Sequence, residues 1–322
     1  MKKIVALSIR DKDFEYEKEK FGSCSDVMFC ISSARKQEDV IAVVRDADVI
    51  LFSDITINRE VIDSLEKCEL IIRYGIGYDN IDIKRCAERG ILVCNAPNYG
   101  VIDVAEHALS LLLSCAKRLI YMNDCVRDGL WDTGMMGQSA RLCGKTIGFI
   151  GFGKIARCVC VRTNALGMKP VVYDPYVQPE CLEEYKAEGV SLDSLLEQSD
   201  YITLHLPLSD QTRHMIGKPQ FEKMKKTAVI INTSRGGLIK EAEMIDALEK
   251  GVIAGAGLDV FEDEKGNIDR RILSMQNVSL TPHVAWNTAD GSKALHVEVT
   301  ENVIRYLEGK EPVSVVNRKW IE

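Results

Sequence analysis

The hydrophobic positions of this chain switch between two periods. Apolar runs of strand length stand at 3–8, 26–31, 48–53, 70–74 and 91–95, while segments of helical spacing fall at 35–45, 58–67 and 81–89. Strands alternating with crossover helices predict a doubly wound parallel sheet. Residues 101–128 then read as one long helix, apolar on so many faces that most of it should be buried. A glycine-bearing loop is expected over 129–143. Beyond it the alternation resumes, with strands at 147–150, 170–173, 201–205, 228–232, 253–258 and 278–281 and helices near 180–188, 192–198 and 240–250. The tail 291–309 carries Val297, Val299, Val303, Ile304 and Leu307 on one side of a helix, which is expected to return to the first sheet.

The most informative stretch is 146–174, TIGFIGFGKIARCVCVRTNALGMKPVVYD. It reads as a strand, a tight turn at Gly151 and Gly153, a helix opening at Lys154, and a second strand ending in Asp174. Glycines let backbone approach a ligand closely, and the unpaired N–H groups at a helix start favour an anion. Ala156 stands where a third glycine is usual and is still small enough for close packing of helix on strand. Alone, Gly-x-Gly-x-x-Ala equally describes an ordinary strand-to-helix turn. Asp174 sharpens the reading: it lies 23 residues after Gly151, at a strand end where a carboxylate suits the ribose hydroxyls of a dinucleotide.

Composition narrows the classes further. A length of 322 residues exceeds what one core usually serves, so two domains are expected. A net charge of −7 without a cluster of Lys and Arg argues against nucleic acid. No apolar run approaches the roughly 20 residues of a membrane span. The N-terminal MKKIVALSIRDKDFEYEKEK shows no small-residue cleavage site, and a cytoplasmic location is expected. The eleven cysteines are scattered without a Cys-x-x-Cys pair, which reads as small buried hydrophobes rather than metal or redox chemistry.

Three later strand ends carry chemistry. Arg235, in Asn232-Thr-Ser-Arg235-Gly, follows a strand where open α/β sheets place their ligands, and an arginine there can hold a carboxylate through two parallel N–H bonds. By itself it reads equally well as a solvated loop residue. Asp259 ends the next strand, suited to capping a turn or approaching a nicotinamide, and Glu262, Asp263 and Glu264 follow it. His283, in Thr281-Pro-His283, follows the last strand. A histidine oriented by a carboxylate is a competent proton donor to a carbonyl oxygen. His205 reads as structural, His107 and His214 as packing or solvated, and His296 has no expected role. Tyr74, Tyr99 and Trp286 read as pocket-shaping or core aromatics.

With these motifs together the chain resembles the D-isomer-specific 2-hydroxyacid dehydrogenases. The resemblance rests on Gly151, Gly153 and Asp174, on Asn232-Thr-Ser-Arg235-Gly, on Gly257-Leu-Asp259-Val-Phe-Glu with Glu264, and on Thr281-Pro-His283. It extends to Arg73-Tyr-Gly75-Ile-Gly77-Tyr-Asp79-Asn80-Ile-Asp82 and to Val104-Ala-Glu106-His107, so that it spans 73–286. Lys265 departs from it, standing where the family usually has proline. The resemblance implies an α/β fold of two doubly wound parallel-sheet domains: a Rossmann NAD-binding domain, 99–288, inserted into a flavodoxin-like substrate domain, 1–98 and 289–322.

It further implies Arg235, Glu264 and His283 as catalytic residues and Arg73, Ile76 and Gly77 as substrate-binding ones, with no metal. Cofactor binding would fall to Gly151, Phe152, Gly153, Lys154, Ile155 and Asp174 around the glycine turn. His205, Leu206, Pro207, Thr212, Thr233, Ser234, Asp259 and His283 would complete that set. The implied reaction is hydride transfer between NAD(H) and a small 2-oxo or D-2-hydroxy acid of the glyoxylate, hydroxypyruvate or pyruvate type, in a homodimer. NAD is expected over NADP because Asp174 would repel a 2′-phosphate and Pro175 and Tyr176 bring no arginine to receive one. The competing readings are an NAD(H)-sensing corepressor-type protein and a phosphoglycerate dehydrogenase.

Overall fold

The computed structural model describes residues 1–8, 14–132, 134, 139–264, 266 and 268–321. Lys265, together with 133 and 135–138 of the expected loop 129–143, lies outside the described residues. The chain divides into two compact units, Met1–Gly100 with Thr288–Glu322, and Val101–Asn287.

Unit 1 runs β1 (Lys2–Leu7), α1 (Glu15–Gly22), β2 (Val27–Ser32), α2 (Gln37–Val44), β3 (Val49–Phe52), α3 (Arg59–Ser64), β4 (Leu70–Arg73), α4 (Ile83–Glu88) and β5 (Leu92–Cys94). Val49-Ile-Leu-Phe52 is apolar at every position because helices cover both faces of a parallel strand. The sheet order is β2-β1-β3-β4-β5, all pairs parallel, the flavodoxin-like order the resemblance implies. Asn58 and Asp82 cap α3 and α4 by accepting from the backbone N–H groups of Val61 and Arg85.

Unit 2 opens with α5 (Val101–Lys117) and α6 (Leu119–Arg127), then alternates through β6 (Thr146–Ile150), α7 (Lys154–Ala165), β7 (Lys169–Tyr173), α8 (Pro179–Glu184), β8 (Glu188–Gly189) and α9 (Leu192–Gln198). It continues with β9 (Tyr201–Leu204), α10 (Lys218–Lys223), β10 (Val229–Asn232), α11 (Glu241–Glu249), β11 (Gly255–Leu258), α12 (Arg270–Leu273) and β12 (Val278–Leu280). The parallel order β12-β11-β10-β9-β6-β7-β8 reverses direction between β6 and β9, as in a Rossmann sheet. Successive strand residues alternate between two cores: Ile150, Ile202 and Ile230 face one helical layer, Ile147, Phe149 and Ile231 the other. The last helix, α13 (Ala289–Leu307), belongs to unit 1, where it meets α1.

Three expectations need correction. The single helix over 101–128 is two, because Arg118 takes a left-handed φ of 53° and lays its guanidinium 4.4 Å from the centre of the Tyr121 ring. Burial also differs: α5 buries one stripe, including Val104, Ala108, Leu111 and Leu112, whereas α6 buries only Cys125 and exposes Leu119, Ile120 and Val126. On α13 the buried face is Leu295, Val299 and Val303, with Val297, Ile304 and Leu307 only half-buried. Five cysteines, Cys68, Cys86, Cys94, Cys125 and Cys160, are buried, and burial pushes the Cys68, Cys86, Cys94 and Cys160 thiols up to about 12. Among the described residues no cluster suits a metal and no helix is long and apolar enough to cross a membrane.

Candidate active site

The strand order reverses between β6 and β9, the point at whose carboxyl ends open α/β sheets place their ligands, and the glycine turn lies there. Gly151 has φ +85°, and a Cβ on it would stand 2.5 Å from the His205 carbonyl oxygen, so no other residue fits without moving β9. Gly153 starts α7 in extended backbone with no side-chain cap, and the first turn of such a helix favours an anion. Phe152 is buried between Phe149 and Tyr185, and its N–H donates to Asp174 Oδ2 at 2.8 Å. Asp174 Oδ1 accepts the Tyr176 N–H at 2.9 Å. Each oxygen of this half-buried carboxylate keeps lone-pair capacity for a ribose hydroxyl.

The far wall is built from strand ends β9 and β10. His205 lies 2.9 Å from Thr203 Oγ1 and stacks on Phe149, and burial pulls its imidazole down to about 3, so the ring stays neutral. Thr212 donates its hydroxyl to the Pro207 carbonyl at 2.7 Å and so folds the turn that presents Leu206 and Pro207. Asn232 accepts the Ser234 N–H and donates to the Arg235 carbonyl, fixing the loop that follows β10. The Thr233 hydroxyl is buried with no hydrogen-bond partner among the described residues. A glycine cradle, an uncapped helix start and an orphaned buried hydroxyl fit a dinucleotide.

Arg235 is half-buried, and its Nη1 donates to the Ser234 carbonyl at 2.8 Å. Its loop is pressed onto the end of β11: a Cβ on Gly236 would lie 1.9 Å from the Phe261 carbonyl carbon. Asp259, fully buried at that end, folds the segment that carries the histidine. Its Oδ1 accepts the Thr281 hydroxyl at 2.6 Å and the Val284 N–H at 2.9 Å, its Oδ2 accepts the Ala285 N–H at 2.9 Å, and its carbonyl accepts the His283 N–H at 2.8 Å. Burial pushes this carboxyl up, but the bonds from His107, Thr281, Val284 and Ala285 outweigh it and hold the group below the ordinary range.

His283 itself takes φ +55°, a left-handed conformation that costs a side-chain-bearing residue about 1–2 kcal/mol. Its Nδ1 lies 2.7 Å from Glu264 Oε2. With Nδ1 engaged by Glu264, Nε2 is the ring nitrogen left for a substrate. His107, read from the sequence as packing or solvated, belongs to this construction: its Nε2 lies 2.8 Å from Thr281 Oγ1 and 3.5 Å from Asp259 Oδ1. Because Thr281 donates to Asp259, the hydroxyl oxygen accepts from His107, which places the proton on Nε2. No local motif announces a partnership across 174 residues. His214 pairs with Glu262 on the surface.

In unit 1, Arg73 ends β4 and donates to the Ser53 carbonyl, and its guanidinium occupies the space a side chain on Gly75 would need. Gly75 has φ +140°. The Ala96 N–H donates to the Gly75 carbonyl at 3.0 Å and Asn95 Nδ2 to the Ile76 carbonyl at 2.7 Å, which straps down the loop through Gly77. Tyr74 is a core residue here: it is buried and its hydroxyl is bonded to Glu17.

A seven-stranded doubly wound sheet with a glycine cradle at its reversal point, and a histidine–carboxylate pair at its strand ends, defines a dinucleotide-binding domain of dehydrogenase type. Residues 109–285 match the model of the D-isomer specific 2-hydroxyacid dehydrogenase NAD binding domain. The chain belongs to that family. It is 37% identical to a glyoxylate reductase of Korarchaeum cryptofilum over 288 residues, 88% of this chain and 86% of that protein. A D-3-phosphoglycerate dehydrogenase of Methanocaldococcus jannaschii is 39% identical over 89% of this chain, but the matched region is only 55% of that protein's length. Among solved structures, a glyoxylate reductase from Paecilomyes thermophila superposes with a TM-score of 0.91 at 30% identity, covering 99% of each chain.

Proposed function

We propose that this chain interconverts a small 2-oxo acid, of the glyoxylate, hydroxypyruvate or pyruvate type, and the corresponding D-2-hydroxy acid. The observation that carries the reading is the 2.7 Å pairing of His283 with Glu264 on a turn folded by Asp259, in an NAD-binding domain of this family. NADH, when bound, supplies the hydride that adds to the carbonyl carbon. His283 gives the proton from Nε2 to the carbonyl oxygen as it becomes a hydroxyl, and Glu264 stabilises the imidazolium form that precedes the transfer. Arg235 holds the substrate carboxylate and polarises the carbonyl. In this reading the Rossmann domain, 99–288, binds cofactor through the glycine turn, Asp174 and the strand ends beyond β9 and β10. The divided domain, 1–98 and 289–322, offers the backbone of Ile76 and Gly77, with Arg73, to the substrate carboxylate. Asp174 favours NAD over NADP by repelling a 2′-phosphate.

The test is NADH oxidation with the purified protein against glyoxylate, hydroxypyruvate, pyruvate, a phosphorylated hydroxypyruvate and bulkier 2-oxo acids. Turnover of one of the first three supports the proposal, and preference for the phosphorylated acid would make it a phosphoglycerate dehydrogenase. Tight NADH binding with no turnover of any acid would replace it with an NAD(H)-sensing protein.

The assembly we propose is a cytoplasmic homodimer. Its support is the unburied apolar side of α6, Leu119, Ile120 and Val126, continued by Leu130 and by Trp131, which is 87% exposed. Light scattering should give about twice the chain mass of 36.0 kDa, and Ile120→Glu with Val126→Glu should halve it. A monomer from the wild-type chain rules the assembly out.

A further inference from the structure

Glu17 sits in the first turn of α1, in the charge-rich run EYEKEK, yet it is fully buried. Its Oε1 accepts the Tyr74 hydroxyl at 2.8 Å and lies 2.7 Å from Nδ1 of His296 on α13. Its Oε2 has no hydrogen-bond partner among the described residues. The two rings lie 5.4 Å apart, and Phe14 meets each of them edge-on at 5.7 Å, so aromatic surface jackets the carboxylate. Three elements, α1, the end of β4 and α13, thus converge on one oxygen atom.

Filling this space does not require a polar group, since an apolar residue of similar volume would avoid the desolvation cost of a buried carboxylate. What the carboxylate adds is direction: a hydrogen bond fixes where the Tyr74 hydroxyl points, and with it the ring and backbone. Burial and the neighbouring Glu17 charge push the Tyr74 phenol well above its ordinary value, so it stays a donor. Tyr74 is also the residue at which the chain leaves the sheet. Its N–H donates to the Phe52 carbonyl at 2.7 Å, and the next residue, Gly75, turns the chain toward Ile76 and Gly77. The straps from Ala96 and Asn95 hold the far side of that turn, and Glu17 holds the near side.

We infer that Glu17 is a positioning residue for the loop 73–77, acting through Tyr74 and His296, and so sets how well that loop holds the carboxylate of a 2-oxo acid. The substrate part of this inference rests on the function proposed above; the anchoring part does not. The variants are Glu17→Leu, which removes the acceptor at similar volume, Glu17→Gln, which keeps an acceptor oxygen, and Tyr74→Phe, which removes only the donor. Hydrogen exchange by mass spectrometry on the full chain reads the loop directly. Glu17→Leu and Tyr74→Phe should speed exchange in peptides covering 73–80 by about tenfold or more while 49–52 stays unchanged, and Glu17→Gln should restore most of the protection. In turnover, KM for the best 2-oxo acid should rise by about tenfold with kcat within about twofold and NADH affinity unchanged, as expected for binding shared by ground and transition states.

Loop exchange and KM both within twofold of wild type in Tyr74→Phe overturn the inference. Exchange rising evenly across β1 to β5 also overturns it, because Glu17 would then be general core support. If the wild-type chain reduces no 2-oxo acid, the proposed function has failed, and the exchange measurement still decides whether Glu17 anchors the loop.

Discussion

Replacing His283 with alanine should lower kcat by about 10²–10⁴-fold, the usual worth of a positioned general acid, while NADH binding stays near wild type. The size follows from the geometry. The ring is held by the 2.7 Å contact to Glu264 and by backbone folded around Asp259, so an incoming water would lack its fixed direction. Glu264→Gln should cost less, because the ring keeps its place on the turn and loses only the charge that stabilises its protonated form. The measurement is single-turnover oxidation of bound NADH with the best 2-oxo acid. His283→Ala within a few-fold of wild type would remove His283 from the chemistry.

Much of the architecture is legible in the sequence, for identifiable reasons. Runs such as Val49–Phe52 and 229–231 are apolar at every position because both faces of a parallel sheet are covered, and that signal is local. The glycine turn was legible because Gly151 meets a steric demand that no other residue satisfies. What escaped has physical causes too. α10 and α12 bury one side chain each, Phe221 and Ile272, and one anchor makes no periodicity. α1 leaves little local signal, because it buries only Glu17 and Phe21 and the partners of Glu17, Tyr74 and His296, are 57 and 279 residues away. The break at Arg118 depends on the conformation of a single residue inside an unbroken helical pattern. At the candidate site the residue types were visible one by one, but the chain from His107 through Thr281 to Asp259 was not, because hydrogen-bond partners across a fold leave no spacing to read.

Asp259→Asn should destabilise unit 2 by about 1–3 kcal/mol at neutral pH and lower turnover with it, although the change is a single atom. The Oδ1 position of the aspartate receives Thr281 and Val284, and its Oδ2 position receives Ala285. An asparagine can present an oxygen to one side only, so its amide nitrogen must face at least one N–H or O–H donor in a fully buried site. The strain falls on 283–285, where His283 is held in its left-handed conformation, and release of that turn would move the imidazole away from Glu264. The pH dependence has a definite sign. Because the folded-state value of Asp259 is depressed, its contribution is fully present above the unfolded carboxyl value of about 3.9 and is lost as pH falls through the folded one. The stability gap between wild type and Asp259→Asn should therefore be widest near neutrality and close only in strong acid. Urea unfolding followed by tryptophan fluorescence, repeated from pH 7 downward, measures that gap, and the half-buried Trp286 reports on unit 2. Equal midpoints at pH 7, or full turnover in the variant, would show that Asp259 does not hold the histidine turn.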